Sequence, residues 1–253
     1  MINPEILTAI RNAEHAFDLL FSCETPFSTH LYKQNDPELP DMYDHNAFIV
    51  IETPSMEELA AAESFQKANG DDFFKIDSAE ALSPETIAHF HLEEDKTETM
   101  LLEKGHAAAW KRNPSVTIKN MKTADIADDM LCVELATYGE DFGEDFVRRK
   151  MQRYLAMSKR TDNFYYFGAY IGGKIAGACY AFDSHGYVCI DGLAVKEAFR
   201  KQYVATTLLA HIADTFGERL YLHADAMDTP KKMYLKMGFR PIDTNFEYNY
   251  KDE

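Results

Sequence analysis

The residues best placed for chemistry lie between Cys189 and Leu209, where an apolar segment passes through a basic turn into a periodic one. Cys189–Val195 is short and mostly apolar, as a strand is, whereas Val204, Leu208, His211 and Ile212 recur at helical spacing. The turn between them therefore opens a helix. The first amides of a helix have no carbonyl partners within it and the helix dipole adds partial positive charge, so the backbone alone can hold an anion there. Arg200 and Lys201 add formal charge at that point. Strand, basic turn and helix make a setting suited to a pyrophosphate.

A second segment follows at Met233-Tyr234-Leu235-Lys236-Met237-Gly238-Phe239. Asp228 or Thr229 can cap a short helix here, Pro230 suits its first turn, and Gly238 can end it in a left-handed conformation. Tyr234 then sits mid-helix with a phenol to offer. Upstream, Phe164–Tyr170 and Lys174–Phe182 are strand-like and meet at Gly172-Gly173, which reads as a hairpin. With the Cys189–Val195 strand they give three consecutive antiparallel strands. Further strands are expected at Arg219–Ala224 and Phe246–Tyr250. From about Ser115 the order is strand, helices, three strands, helix, strand, helix, strand.

In these motifs the chain resembles the GNAT acyltransferase superfamily. The run from Arg200 to Ala205 is similar to its cofactor loop, R/Q-x-x-G-x-G/A, and Met233–Phe239 is similar to its L-Y-x-K-x-G-F ending. One position departs: Tyr203 stands where the family has glycine, and its bulk either crowds the backbone or forces an uncommon dihedral. The resemblance covers roughly the C-terminal half. It implies a GNAT fold, an α/β (α+β) architecture with a mixed, mostly antiparallel central sheet flanked by helices. It also implies acetyl-CoA as acyl donor, held by Leu193, Ala194, Val195, Arg200, Lys201, Gln202, Tyr203, Val204, Ala205 and Thr206. Its implied mechanism is direct attack of a neutral amine on the thioester carbonyl, with Tyr234 protonating the departing thiolate and the Leu193 amide polarising the carbonyl. Asp191, two residues before Leu193 and so on the same strand face, is the candidate base. A carboxylate bonded to a neighbouring strand or salt-bridged is the other reading of Asp191.

The resemblance further implies that the acceptor is chosen mainly by the helices near Asp125–Ser158 and by the last strands. Glu134, Tyr138, Glu140, Asp141, Glu144 and Asp145 would form an acidic mouth favouring a cationic amine such as a polyamine, amino sugar or lysine side chain. A solvated helix face paired with Arg148, Arg149, Lys150 and Arg153 explains the same residues. Three functional readings stay open: an N-acetyltransferase acting on a small-molecule or peptide amine, a non-catalytic GNAT-fold module binding a CoA ester or a protein, and a transferase of a longer acyl or aminoacyl group.

The chain has 253 residues, about a hundred more than one such domain needs. Its charge is uneven: residues 1–112 carry net −14 and residues 113–253 net −2. A boundary near Arg112-Asn113-Pro114 is expected, giving an acidic domain 1–112 and a GNAT domain 113–253. In the first, a helix over Glu5–Phe21, a strand at Ala47–Ile51, a capping box at Ser55 and Glu58, a strand at Phe73–Ile76 and a helix at Pro84–Phe90 are expected. Phe90–Glu93 and Thr97–Leu102 would pair across Glu94-Asp95-Lys96. This order echoes the C-terminal half, so the chain reads as two tandem GNAT-like halves, the first degenerate and without a basic loop. A surface this acidic disfavours nucleic acid and anionic membrane. Cys23, Cys132, Cys179 and Cys189 form no metal or disulfide pattern and are expected as buried thiols, and the nine histidines show no ligand spacing, so no metal is expected. The absence of a leader-like or membrane-length apolar run gives a soluble cytoplasmic protein as the expectation, as monomer or homodimer.

Overall fold

The computed structural model describes residues 2–70, 73–225 and 229–250. In chain order these form α1 (Pro4–Asp18), β1 (Cys23–Pro26), β2 (Leu31–Asn35), β3 (Phe48–Val50), α2 (Met56–Ala68), β4 (Ile76–Ser78), α3 (Pro84–His89) and β5 (Leu92–Leu102). They continue with β6 (Val116–Asn120), α4 (Ala127–Phe142), α5 (Glu144–Arg160), β7 (Phe164–Ile171), β8 (Lys174–Ser184), β9 (Tyr187–Val195), α6 (Val204–Phe216), β10 (Leu220–Asp225), α7 (Thr229–Lys236) and β11 (Phe239–Tyr250). Two compact units result. Unit 1 comprises Met1–Glu14, Met100–His223 and Lys232–Arg240, and unit 2 comprises His15–Thr99, Ala224–Lys231 and Pro241–Glu253. The expected division at 112/113 cuts the chain once, whereas these units interleave along it.

Unit 1 holds the strand order β10-β9-β8-β7-β6, with β6 to β9 antiparallel to their neighbours and β10 parallel to β9. From β6 through α7 its element order is the one the sequence predicts; the last predicted strand, β11, belongs mostly to unit 2. The hairpin turns at Gly172-Gly173, both with positive φ, and its strand faces bury Phe164, Phe167, Cys179 and Phe182 under α4, α5 and α6. A fully buried strand is apolar on both faces, which is why β7 and β8 read as continuous apolar runs rather than alternating ones.

Unit 2 repeats part of that plan. Its strands run β1-β2-β3-β4-β11, with β3 and β4 parallel and joined through α2, the connection that β9, α6 and β10 also make. Its core gathers Leu31, Phe48, Leu59, Phe74, Ile76 and Tyr248. The start of α2 is closed by its own chain: Ser55 Oγ accepts from the Glu58 amide at 3.2 Å, and the Glu58 carboxylate accepts from the Ser55 amide at 2.9 Å. Ser28, the Ser55 amide and His30 together hold the Glu58 carboxyl well below the ordinary carboxylate range. The expected capping box is therefore present.

Several sequence expectations change. The strand expected at Phe73–Ile76 is instead Ile76–Ser78; Phe74 is buried as a loop residue, so the apolar pair marks the core and not a strand. The expected pairing across Glu94-Asp95-Lys96 is one continuous strand, β5, because those residues lack the positive-φ geometry a tight turn needs. β1 and β2 were not expected, since β2 buries the polar Lys33 and Gln34, whose head groups find the Asn46 carbonyl at 2.8 Å and Ser22 Oγ at 2.9 Å. The first helix ends at Asp18, before Phe21, and the last strand begins at Phe239, seven residues earlier than Phe246. Cys179 and Cys189 are buried, but Cys23 and Cys132 are exposed. Asp228 lies outside the described residues.

Unit 2 also buries a charge cluster. Lys75 Nζ, almost fully enclosed, lies 2.5 Å from Glu247 Oε2, 3.0 Å from Asp44 Oδ1 and 3.6 Å from Asp77 Oδ1. The last distance is beyond hydrogen-bond reach, and burial raises the Asp77 carboxyl to about 7. A carboxyl whose pKa rises on folding stabilises the fold in its protonated form, below about pH 4, and that contribution is lost as pH climbs through about 7. Asp77→Asn should therefore be more stable than the parent at pH 8, by up to about 4 kcal/mol, and no more stable at pH 4. Urea unfolding at both pH values tests this; a variant weaker at pH 8 than at pH 4, relative to the parent, would remove Asp77 as a buried charge.

Candidate active site

Strand β9 organises the site in unit 1. Against β8 it pairs Ala194 with Ala178 and Asp191 with Tyr180, so Gly192 and Leu193 together face the single residue Cys179. This is a β-bulge, which takes one residue out of the ladder and bends the strand. Gly192 adopts φ +59°, and a Cβ there would lie 2.8 Å from the Tyr180 ring, so the bulge needs glycine on both counts. On its other side β9 pairs with β10 from Val188↔Leu220 to Ile190↔Leu222. Both strands run on, to Val195 and Asp225, without further pairs between them among the described residues. Leu193, Ala194 and Val195 thus lie on a stretch that has bulged on one side and parted from its neighbour on the other.

The turn after β9 leads into α6 through two non-glycine residues in the left-handed region, Lys201 at φ +60° and Tyr203 at φ +58°. The uncommon dihedral expected of Tyr203 is present, at the position where the resembling family carries glycine. No side chain caps α6. Its first helical bond runs from the Thr207 amide to the Tyr203 carbonyl at 3.0 Å, so the amides of Val204, Ala205 and Thr206 precede the ladder. The hydroxyls of Thr206 and Thr207 also donate to that carbonyl, at 3.0 and 2.7 Å. Asn113 braces the turn, its amide donating to Thr207 Oγ1 and its Nδ2 to the Gln202 carbonyl, each at 2.9 Å. Arg200, Lys201 and Gln202 are exposed, and Val204 is buried. Gly177 of β8 admits this packing: a Cβ there would lie 2.6 Å from the Ala194 carbonyl oxygen and 3.2 Å from Val204.

Asp191 is exposed and tethered. Its Oδ2 accepts from the Tyr180 hydroxyl at 2.6 Å and its Oδ1 from the Gly192 amide at 2.5 Å. The bond to a neighbouring strand, one of its two sequence readings, is thus present, on a carboxylate that still faces solvent. Tyr234 is nearly buried in α7, where its ring meets the edge of Phe239 with centroids 5.8 Å apart. Trp110 secures the end of that helix, donating to the Met237 carbonyl at 2.8 Å and stacking on Phe239. Burial first, then the nearness of Asp191, Cys179 and Tyr138, pushes the Tyr234 phenol well above its ordinary value. It therefore stays protonated throughout the neutral range.

From α4, Glu134 and Tyr138 reach the same region. Glu134 is only 3% exposed; burial raises its carboxyl, Lys150 opposes that shift and Asp191 adds to it. Burial, Glu134 and Asp191 push the Tyr138 phenol to about 12. The remaining acidic-mouth residues, Glu140, Asp141, Glu144 and Asp145, are exposed. Glu144 pairs with Arg148 at 3.2 Å and Asp145 with Arg149 at 2.9 Å, as the solvated-face reading has it. Sequence reasoning missed Tyr180, Gly192, Asn113 and the Lys150–Glu134 pair. The hairpin at Gly172-Gly173 hinted at Tyr180, but only the bulge sets it opposite Asp191.

An α/β architecture with a bulged strand parting from its parallel neighbour beside an uncapped, basic helix start places the chain in a recognisable class. Residues 129–239 match the acetyltransferase (GNAT) family and form a GNAT domain. A conserved protein of unknown function from Staphylococcus epidermidis has the same fold, with TM-score 0.79 and 19% identity over 92% of this chain and 95% of that one. A GCN5-related N-acetyltransferase from Kribbella flavida gives TM-score 0.67 at 13% identity, covering 100% of this chain and 98% of that chain. A tandem GNAT protein from the clavulanic acid biosynthesis pathway gives 0.54 at 15% identity over 80% and 72% of the two chains. The N-terminal half is likewise GNAT-like in fold. No curated protein matches the chain significantly.

The left-handed backbone at Tyr203 makes a stability prediction. With the ring removed in both variants, Tyr203→Gly should exceed Tyr203→Ala by about 1 kcal/mol, because only the alanine keeps a Cβ in that region. Denaturant unfolding of the pair measures it, and equal stabilities would mean that the turn is not held left-handed.

Proposed function

We propose that this chain is an acetyl-CoA-dependent N-acetyltransferase that acylates a primary amine by direct attack. The observation that carries the reading is the open start of α6, flanked by Arg200 and Lys201 and set beside the bulged end of β9. The N–H groups of Val204, Ala205 and Thr206 suit a pyrophosphate, Lys201 and Arg200 supply its counter-charge, and Gln202 and Tyr203 complete the turn. The Leu193–Val195 stretch offers backbone groups to the donor's arm, and the Leu193 amide suits the acyl oxygen.

When bound, the donor supplies a thioester: the amine nitrogen gains the bond to the acyl carbon that sulfur loses, and one proton passes from nitrogen to sulfur in net terms. This chain's residues manage the protons. Asp191, fixed by Tyr180 and Gly192, takes one proton from the incoming ammonium, directly or through water, and passes it to solvent; the second, lost by nitrogen as the C–N bond forms, balances the one that Tyr234 gives to sulfur. Tyr234, held protonated by its burial, donates to the leaving sulfur. No thiol of the protein is needed, and burial pushes the Cys179 thiol far above its ordinary value, unsuited to a nucleophile. A cytoplasmic reaction is part of this reading, supported by the cytoplasmic supply of such a donor.

Calorimetric titration with acetyl-CoA, CoA and desulfo-CoA should show micromolar binding, weakened about tenfold or more by Arg200→Ala. Binding to none of the three would remove the transferase reading and leave a non-catalytic GNAT-fold module. Tyr234→Phe should lower turnover about a hundredfold while acetyl-CoA affinity stays within about twofold. Unchanged turnover in that variant would take Tyr234 out of the proton path.

A further inference from the structure

Three ionisable groups meet at the acceptor end of the site, Glu134 of α4, Lys150 of α5 and Asp191 of β9, and their charges do not balance. The Glu134 carboxylate, almost wholly enclosed, lies 3.8 Å from Lys150 Nζ. An internal cation thus already compensates it. Asp191 accepts only neutral donors in the bonds described above, the Tyr180 hydroxyl and the Gly192 amide, so its charge is stabilised without being cancelled. One negative charge remains for an acceptor to neutralise.

The rest of the surroundings is aromatic. Lys150 Nζ lies 5.5 Å from the Tyr138 ring centroid and 5.6 Å from that of Tyr154, an arrangement that holds an ammonium by the ring faces as well as by the carboxylate. From Tyr138 the rings continue to the end of α4 and into α5: Phe142 lies 6.3 Å away, and Phe146, in the first turn of α5, a further 6.2 Å beyond it. Phe142 is 48% exposed in the last turn of α4. Glu140, Asp141, Glu144 and Asp145, the carboxylates near it in sequence, are all exposed, and Glu144 and Asp145 are paired with arginine, so solvent and salt screen their charges.

We infer that the acceptor is a monoamine with an aryl or long alkyl body, its amino group answering Asp191 and its body lying along Tyr138 and Phe142. A polyamine is disfavoured, because its second cation would meet Lys150 in the interior and only screened charge outside. This narrows the cationic amines expected from the sequence and rests on the transferase reading.

The test is a set of steady-state acetyl transfers, followed by thiol release at pH 8, to 2-phenylethylamine, hexylamine, putrescine and spermidine, with acetyl-CoA binding measured separately by calorimetry. The kcat/KM for 2-phenylethylamine should exceed those for putrescine and spermidine by about tenfold or more. In Lys150→Met that ratio should fall at least about tenfold, and Phe142→Ala should raise KM for 2-phenylethylamine about tenfold with a smaller change in kcat. Should Lys150→Met fail to fold, Lys150→Gln and the acceptor series on the parent chain carry the test. A preference for putrescine or spermidine, or acetyl-CoA binding without transfer to either monoamine, overturns this inference and leaves the donor site standing. Absence of acetyl-CoA binding overturns the transferase reading and this inference with it.

Discussion

Strand β9 has to satisfy two neighbours that ask for different things. Parallel pairing with β10 holds it straight as far as Ile190, and antiparallel pairing with β8 must continue to Val195 for the chain to reach α6 in the right place. One extra residue resolves the conflict. The bulge at Gly192 and Leu193 lets β9 keep β8 while leaving β10, and the same distortion aims Asp191, sets Tyr180 opposite it and exposes backbone beyond it. Asp191, Tyr180 and the Leu193–Val195 backbone all lie at this bend. Glycine at 192 is its local requirement, since any Cβ would collide with Tyr180.

Electrostatics at the site follow from unequal burial. Glu134 and Tyr234 are enclosed: lost hydration keeps the Tyr234 phenol protonated and raises the Glu134 carboxyl, which Lys150 pulls back toward its charged form, whereas Asp191, at the rim, faces solvent and has two neutral donors. Groups of the same region therefore differ in burial, and with it in the cost of carrying charge, without any difference in chain position that would announce it. Lys150 is part of that division, because without it the buried Glu134 charge would stand alone beside Asp191.

Much of unit 1 was legible because its signals are local. Gly172-Gly173, the apolar runs of β7 and β8, the helical spacing from Val204 and the Tyr234–Phe239 motif each speak through adjacent residues. What stayed hidden depends on partners far along the chain. Tyr180 meets Asp191 only through a register that contains a bulge, and Lys150 meets Glu134 only once α4 and α5 are packed. In unit 2 the missed β2 and the misplaced strand at Phe73–Ile76 share one origin: burial there is shared with polar residues, so apolar content misplaces strands. Lys33, Gln34 and Lys75 sit inside with partners supplied from elsewhere, while Phe74 is buried without belonging to a strand.

The two helices that link parallel strands, α2 and α6, end up electrically opposite. At α2 the chain brings its own anion, Glu58, and fastens it with Ser55 and His30; at α6 it brings cations and leaves the amides open. An acidic lid on the first and a basic approach to the second mean that a repeated framework does not repeat its open helix start. Stoichiometry is the consequence: of these two helix starts only that of α6 is open to an anion from outside the chain, so binding by this route would count one equivalent per chain.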